Sequence, residues 1–168
     1  DVADVAGLNF GGDSCTIYAV FVRDTDIDNL RLFAKGGTND TGADSGGYGV
    51  DGSDTTMTMR VGDGATRKAM ALTHAGAATG NLVTYRKEEG VAMIGRDRGL
   101  QEVTTSLAGF VTTDNLSPLR LGAIQRATPA SFWEGDLAEL IIYRGAHAVA
   151  DMKTVEGYLA AKFGITLQ

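Results

Sequence analysis

The residues best suited to chemistry are three carboxylates in the last third of the chain, Glu134, Asp136 and Glu139, spaced E-x-D-x-x-E. Two carboxyls about 5–5.5 Å apart would serve retaining glycoside hydrolysis, one as nucleophile and one as acid/base. The run they sit on, Leu137 to Tyr143, is apolar apart from Glu139 and reads as a strand buried on most of its surface. Side chains alternate along a strand, so Glu134 and Asp136 share a face and Glu139 points to the other. Only a bulge would bring all three together. The bland alternative is that Asp136 and Glu139 bind backbone amides or a neighbouring arginine.

Other candidate chemistries fail on spacing. Asp24-x-Asp26-x-Asp28-Asn29 begins like an EF-hand loop, but that loop needs Gly at its sixth position and Glu at its twelfth. Asn29 and Lys35 stand there, so the run reads as a solvated turn. His74 and His147 are isolated, and Cys15 is the only cysteine, which argues against zinc. Cys15 cannot form an intramolecular disulfide, and no nearby His or basic residue in the sequence activates it, so it reads as a small buried hydrophobe. No G-x-S-x-G run and no phosphate-cradling loop before a helix is present.

The elements that would position these residues are mostly strands. Thr16 to Val22 is the clearest early one, and Leu30 to Ala34 reads as the second arm of a hairpin with it. Tyr48 to Val50 starts another after a long Gly/Asp/Thr/Ser loop. Thr55 to Val61 alternates polar and apolar residues, the mark of a half-buried strand. Gly62-Asp63-Gly64 turns the chain. Lys68 to Leu72, Leu82 to Arg86, Val91 to Ile94 and Leu119 to Ile124 follow as strands, with Glu102 to Val111 a mixed stretch. Asp1 to Asn9 reads as a strap or a first edge strand. After Arg144-Gly145 the period changes. Met152, Val155, Leu159 and Phe163 fall on one helical face, Asp151 serves as N-cap or first-turn acid, and Gly164 suits a left-handed cap with Ile165 as its apolar contact. About ten short strands, locally connected, indicate a sandwich or barrel.

The end of the chain also resembles a known family. Gly135-Asp136-Leu137-Ala138-Glu139-Leu140-Ile141-Ile142-Tyr143, followed by Val155-Glu156-Gly157-Tyr158-Leu159-Ala160-Ala161-Lys162-Phe163-Gly164-Ile165, is similar to the C-terminal signature of the laminin-G-like jelly rolls of the concanavalin A-like lectin/glucanase superfamily. Thr16 to Phe21, Leu32 to Gly37 and Gly46 to Val50 are similar to earlier parts of that pattern. The chain departs from it at His147-Ala148, where the family has a hydroxyl cap at the helix entry, so the helix is expected to start a turn late. The resemblance implies an all-β fold, a two-sheet antiparallel jelly-roll sandwich with one short C-terminal helix, over residues 1–168 as a single domain. The glucanase branch of the superfamily carries its E-x-D-x-x-E mid-chain on a central strand. Here the three carboxylates lie on the closing strand, inside the non-catalytic signature.

The resemblance implies a non-catalytic binding module for a carbohydrate or surface glycoconjugate, with no enzyme activity. Exposed aromatics and planar polar side chains are the tools of glycan contact, which singles out Trp133, Tyr48, Tyr85, Arg96 and Asp97. Each has a structural alternative, core packing for the aromatics and a solvated turn for Arg96-Asp97-Arg98. No cofactor is implied, although lectins of the superfamily hold calcium beside the ligand, and loops with Asp40, Asp44, Asp51, Asp54 and Asp63 could donate oxygens to it. The main alternative is a structural, decoration or adhesion module of a virion, phage or extracellular assembly, docked on a neighbouring protein surface or built into a homo-oligomer. Glycoside hydrolysis comes third. An aromatic content of 7% and an acidic, Gly/Ala/Thr-rich composition favour the structural alternative over a dedicated sugar binder.

Composition sets the outer bounds. The chain has 168 residues, 43% hydrophobic and 21% charged, enough for one domain with a sizeable core. Its 23 glycines are about twice the usual share of ~7%, which fits many tight turns. Net charge is −6, against a nucleic-acid partner, because phosphate binding needs a basic surface. No apolar run is long enough to cross a bilayer. The chain starts at Asp1 without Met, which reads as a fragment or processed form, and the expected setting is extracellular or on a virion surface.

Overall fold

The computed structural model describes residues 6–24, 30–36, 47–53, 55–74, 80–113, 118–123 and 132–168. Ten strands precede one helix: β1 (Cys15–Arg23), β2 (Leu30–Gly36), β3 (Gly47–Gly52), β4 (Thr56–Gly62), β5 (Arg67–Thr73), β6 (Asn81–Glu88), β7 (Ala92–Asp97), β8 (Leu100–Ser106), β9 (Leu119–Leu121), β10 (Gly135–Arg144) and α1 (Val149–Phe163). They form two antiparallel five-stranded sheets. The back sheet runs β10-β1-β6-β7-β8 and the front sheet β5-β4-β3-β2-β9. The jelly-roll sandwich with its C-terminal helix is the expected fold.

The alternation read in the sequence builds the core. Met57, Met59 and Val61 of β4 and Met70 and Leu72 of β5 point inward from the front sheet. Ile17, Ala19 and Phe21 of β1, with Val83 and Tyr85 of β6, meet them from the back sheet. Fully burying one such side chain is worth about 1.5–3 kcal/mol, so this layer dominates the folding energy. The Tyr85 hydroxyl donates to the Met57 carbonyl oxygen at 2.9 Å, which ties the sheets together.

A second apolar cluster lies on the outer face of the back sheet. Met152, Leu159 and Ala160 of α1 cover Tyr18 and Val20 of β1 and Leu82 of β6. Val155 and Phe163 pack at its margin, so all four residues of the expected helical face are used. Gly164 takes the left-handed cap conformation at φ 67°, its N–H donates to the Ala160 carbonyl, and Ile165 joins the cluster.

Several expectations change. β1 and Leu30–Ala34 are not a hairpin. β1 pairs with β10 and β6, while β2 pairs with β3 and β9, so the polar turn between them carries the chain from one sheet to the other. The helix does not start late. It begins at Val149, two residues before Asp151, with Ala148 at the cap position making no side-chain cap bond and Asp151 in the first turn. Its packed face supports the first turn without a hydroxyl cap. The strand expected over Leu119–Ile124 stops at Leu121, because Gly122 turns at φ 71° and donates its N–H to the Leu32 carbonyl. Ile124 lies outside the described residues. Val91 belongs to the turn before β7, and the mixed stretch opens with β8. Of the expected strap or edge strand over Asp1–Asn9, Ala6–Leu8 form a 3-10 turn, and residues 1–5 lie outside the described residues.

Candidate functional site

The bulge that the carboxylate triad needs is present. β10 slips by one residue against β1 between Val20 and Phe21, so Val22 faces Asp136 and Val20 faces Glu139. Directly paired residues share a face, which puts Asp136 and Glu139 together on the outer side of the back sheet. That side is the one α1 occupies. The Lys162 ammonium donates to Glu139 Oε2 at 2.5 Å, and this contact raises the lysine pKa above its ordinary value. Glu139 therefore pairs with the helix at a partly exposed margin of that face.

The five residues expected to touch a glycan do not converge. Tyr85 is fully buried between the sheets. Tyr48 is buried at the start of β3, tilted against Phe10 with ring centroids 5.3 Å apart, and its hydroxyl donates to the Leu8 carbonyl. Trp133 is half-buried, edge-on to Phe21 at 5.3 Å and 6.0 Å from the Arg23 guanidinium. Asp97 is buried at the end of β7 and accepts from Arg98 at 3.1 Å. Arg96 is 3% exposed. Its Nε and Nη2 donate to the two carboxylate oxygens of Glu156 at 2.8 and 3.0 Å, its Nη2 also meets the Gly99 carbonyl, and the Thr84 hydroxyl donates to the same carboxylate at 2.8 Å. This ion pair and its threonine are sealed between α1 and the back sheet. Glu156 is not among the four residues that the helical period puts on the packed face, since nothing near it in the chain reveals an arginine 60 residues away.

Asp51 and Asp63, two of the acidic residues considered for calcium, are otherwise engaged, Asp51 by Arg31 and Arg60. The Asp63 carboxylate accepts the Ala65 and Thr66 amides at 2.8 and 2.6 Å, which lowers its pKa and closes the β4–β5 turn. Asp40, Asp44 and Asp54, like residues 25–29 of the EF-hand-like run, lie outside the described residues. Among the described residues, no three His, Cys, Asp or Glu side chains are close enough to share a metal ion.

At one end of the sandwich, Lys87 joins three segments. Its ammonium donates to the Phe10 carbonyl at 2.8 Å and the Thr112 hydroxyl at 2.5 Å and pairs with Glu89 at 2.9 Å. Burial pushes the Glu89 carboxyl up, but hydrogen bonds from Lys87, the Thr112 amide and the Thr112 hydroxyl outweigh it and hold the pKa below the usual value. The adjoining cleft, lined by Asn9, Cys15, Lys35, Tyr48 and Lys87, has room for about one water molecule. The Cys15 thiol beneath it is pushed up to about 11, by burial against the opposing pull of Lys87, and is inert as a nucleophile at neutral pH.

The front sheet is exposed along β5 and closed over β2, where all seven residues are buried. No described helix covers its outer face, and Ala69, Ala71 and Thr73 of β5 are exposed there. Cross-strand register sets Gly49 of β3, Arg60 of β4 and Ala69 of β5 in one row, with Asp51, Thr58 and Ala71 in the next. Strands stand about 4.8 Å apart, so Arg60 rises between neighbours with almost no side chain. A Cβ at Gly49 would come within 3.0 Å of the Phe33 carbonyl oxygen, so this position has to stay bare. Asp51 fixes the arginine: Arg60 Nε reaches Oδ1 at 2.7 Å and Nη2 reaches Oδ2 at 2.8 Å, while Arg31 Nη1 meets Oδ1 at 2.9 Å. Arg31 and Asp51 are buried, and Arg60 keeps 27% of its side chain exposed. The alternation of β4, apolar inward and polar outward, put Arg60 on a polar face in the sequence, but only the pairing of three strands shows the bare ground on either side of it.

No protein-family model matches the chain, and no curated protein matches it. Solved structures do match. The chain is similar to the CBM40 of the Ruminococcus gnavus IT-sialidase bound to α2,3-sialyllactose, with a TM-score of 0.69 and 14% identity over 88% of this chain and 84% of that one. It is similar to the botulinum neurotoxin serotype D binding domain, with a TM-score of 0.67 and 10% identity over 88% of this chain and 36% of that one. The binding domain of Paraclostridial Mosquitocidal Protein 1 gives a TM-score of 0.66 and 14% identity over 94% of this chain and 40% of that one. The fold is a β-sandwich of the kind these domains have. These neighbours are a carbohydrate-binding module and toxin binding domains, and at such identities the likeness carries the fold alone. No described helix is long and apolar enough to cross a membrane.

Proposed function

We propose that the chain is a non-catalytic glycan-binding module that takes its ligand on the outer face of the front sheet. The observation that carries this reading is the pre-set Arg60 between Gly49 and Ala69, polar and half-open beside the exposed strand β5. The carbohydrate-binding and toxin-binding neighbours support a binding role over a catalytic one, and they support a place outside the cell where glycans are displayed. The laminin-G-like signature of β10 and α1 agrees with it, although those residues hold the helix and do not face the ligand. Of the five residues singled out in the sequence, Trp133 alone keeps appreciable surface, and its role is packing at the sandwich end.

The test is a glycan array probed with the wild-type chain and with Ala69→Trp, with and without calcium. Ala69 is exposed on the outer face, so the indole fills the ground beside Arg60 without touching the core. Wild-type binding that Ala69→Trp abolishes, at unchanged melting temperature, supports the reading. A blank array in both conditions overturns it and leaves the assembly role. One observation favours that second reading: Leu121 and Phe132, 44% and 59% exposed, flank the backbone hydrogen bond between Trp133 and Gly122. Sedimentation of Phe132→Ser against wild type then reads whether this pair joins copies or partners.

A further inference from the structure

The geometry points to a sugar bearing an oxyanion, a carboxylate or a sulfate, as the ligand of this face, read by the outer edge of Arg60. The inference rests on the glycan-binding reading and names the ligand class within it. A guanidinium has two edges that can each take an oxyanion through paired N–H bonds. Asp51 occupies the Nε/Nη2 edge of Arg60. Among the described residues, no group accepts from Nη1, so the Nη1/Nη2 edge stays available. Asp51 thus acts as a positioning residue. It orients the fork, and the planar guanidinium fixes the direction from which the second anion must come.

The surroundings agree. The cross-strand neighbours Gly49 and Ala69 give a ligand a path to the fork at backbone height. Among the described residues, Arg31 shares Asp51 with Arg60, and Arg67 pairs with Gly62 at the start of β5, on a chain whose net charge is −6. Cationic groups on an acidic protein attract anions that the rest of its charge repels. A neutral sugar would leave the free edge of Arg60 without a charged partner.

The experiment is calorimetric titration of the whole chain with 3′-sialyllactose and with lactose, which differ by one charged sugar, and with a sulfated lactose to separate the two oxyanions. The inference expects at least one of the charged ligands to bind tenfold or more tighter than lactose, with a preference that shrinks as salt rises. Arg60→Ala erases that preference. Arg60→Lys keeps the charge but loses the fork, and recovers little of it. Asp51→Asn weakens the charged ligand while Arg60 is still present, a readout that a purely structural Asp51 would not give once the variant's melting curve shows it folded. Equal affinity for lactose and both charged ligands overturns this inference and leaves the glycan reading standing. A charged-ligand preference that survives Arg60→Ala overturns the assignment to Arg60. No binding by any of these ligands, together with a blank array, overturns both.

Discussion

The two sheets carry the same pairing of arginine and carboxylate on their outer faces, in opposite surroundings. On the back sheet, Arg96 and Glu156 meet with side chains 4% and 1% exposed beneath α1. On the front sheet, Arg60 meets Asp51 with the arginine 27% exposed and no described element above it. Burial uses up the first pair: Glu156 takes both Nε and Nη2 of Arg96, the second nitrogen also meets Gly99, and the helix seals the site. Exposure leaves the second pair one unused edge. Chemistry alone does not distinguish a structural ion pair from a recognition site; what lies above it does.

Breaking the buried pair should have the largest effect. Glu156→Ala leaves a charged Arg96 beneath the helix, which costs about 3–5 kcal/mol. Urea unfolding should show that loss, and glycan affinity of the fraction still folded should not change. A loss below about 1 kcal/mol would mean that α1 sits more loosely than drawn here. Glu89→Gln comes next, at about 1–3 kcal/mol, because Lys87 and Thr112 lose a charged acceptor. Its effect depends on pH. The folded pKa of Glu89 is depressed, so its contribution is full above the ordinary glutamate pKa and fades as pH falls below that value toward the lowered one. Wild type and Glu89→Gln should therefore differ at pH 7 and converge in acid, as read by unfolding at a series of pH values.

Arg60→Ala should separate the two faces most clearly. Its stability cost is about 1 kcal/mol or less, typical of a partly exposed pair, while ligand affinity falls tenfold or more. Lys162→Ala should do least, within about 0.5 kcal/mol by thermal unfolding, because its pair with Glu139 is open to solvent. A large effect there would make the Asp136–Glu139 face more than a helix anchor.

What the sequence showed and what it hid follow the same division between local and distant contacts. The strand Leu137–Tyr143, the helical face of Met152, Val155, Leu159 and Phe163, and the Gly164 cap are set by neighbours in the chain, and periodicity exposes them. The burial expected of that strand does not follow, because β10 is the edge of its sheet and all its residues are half-buried or exposed. The strand alternation of β4 and the turn at Asp63 were, like the helical face, legible from neighbours in the chain. Partnership across the sandwich was not. β1 pairs with β10 more than a hundred residues away, and a local reading gave it β2 instead. Trp133, Tyr48 and Tyr85 drew attention as glycan-binding types, yet a sandwich with few aromatics uses them in and around its core. Arg60 drew none, because an arginine on a polar strand face is ordinary until Gly49, Ala69 and Asp51 are placed around it.

The most direct test of the central claim is an amide chemical-shift map of the chain titrated with the tightest glycan found. The account predicts shifts concentrated at Gly49, Thr58, Arg60, Ala69 and Ala71, across β3, β4 and β5. Shifts centred on α1, or on Trp133 and its neighbours, would contradict it.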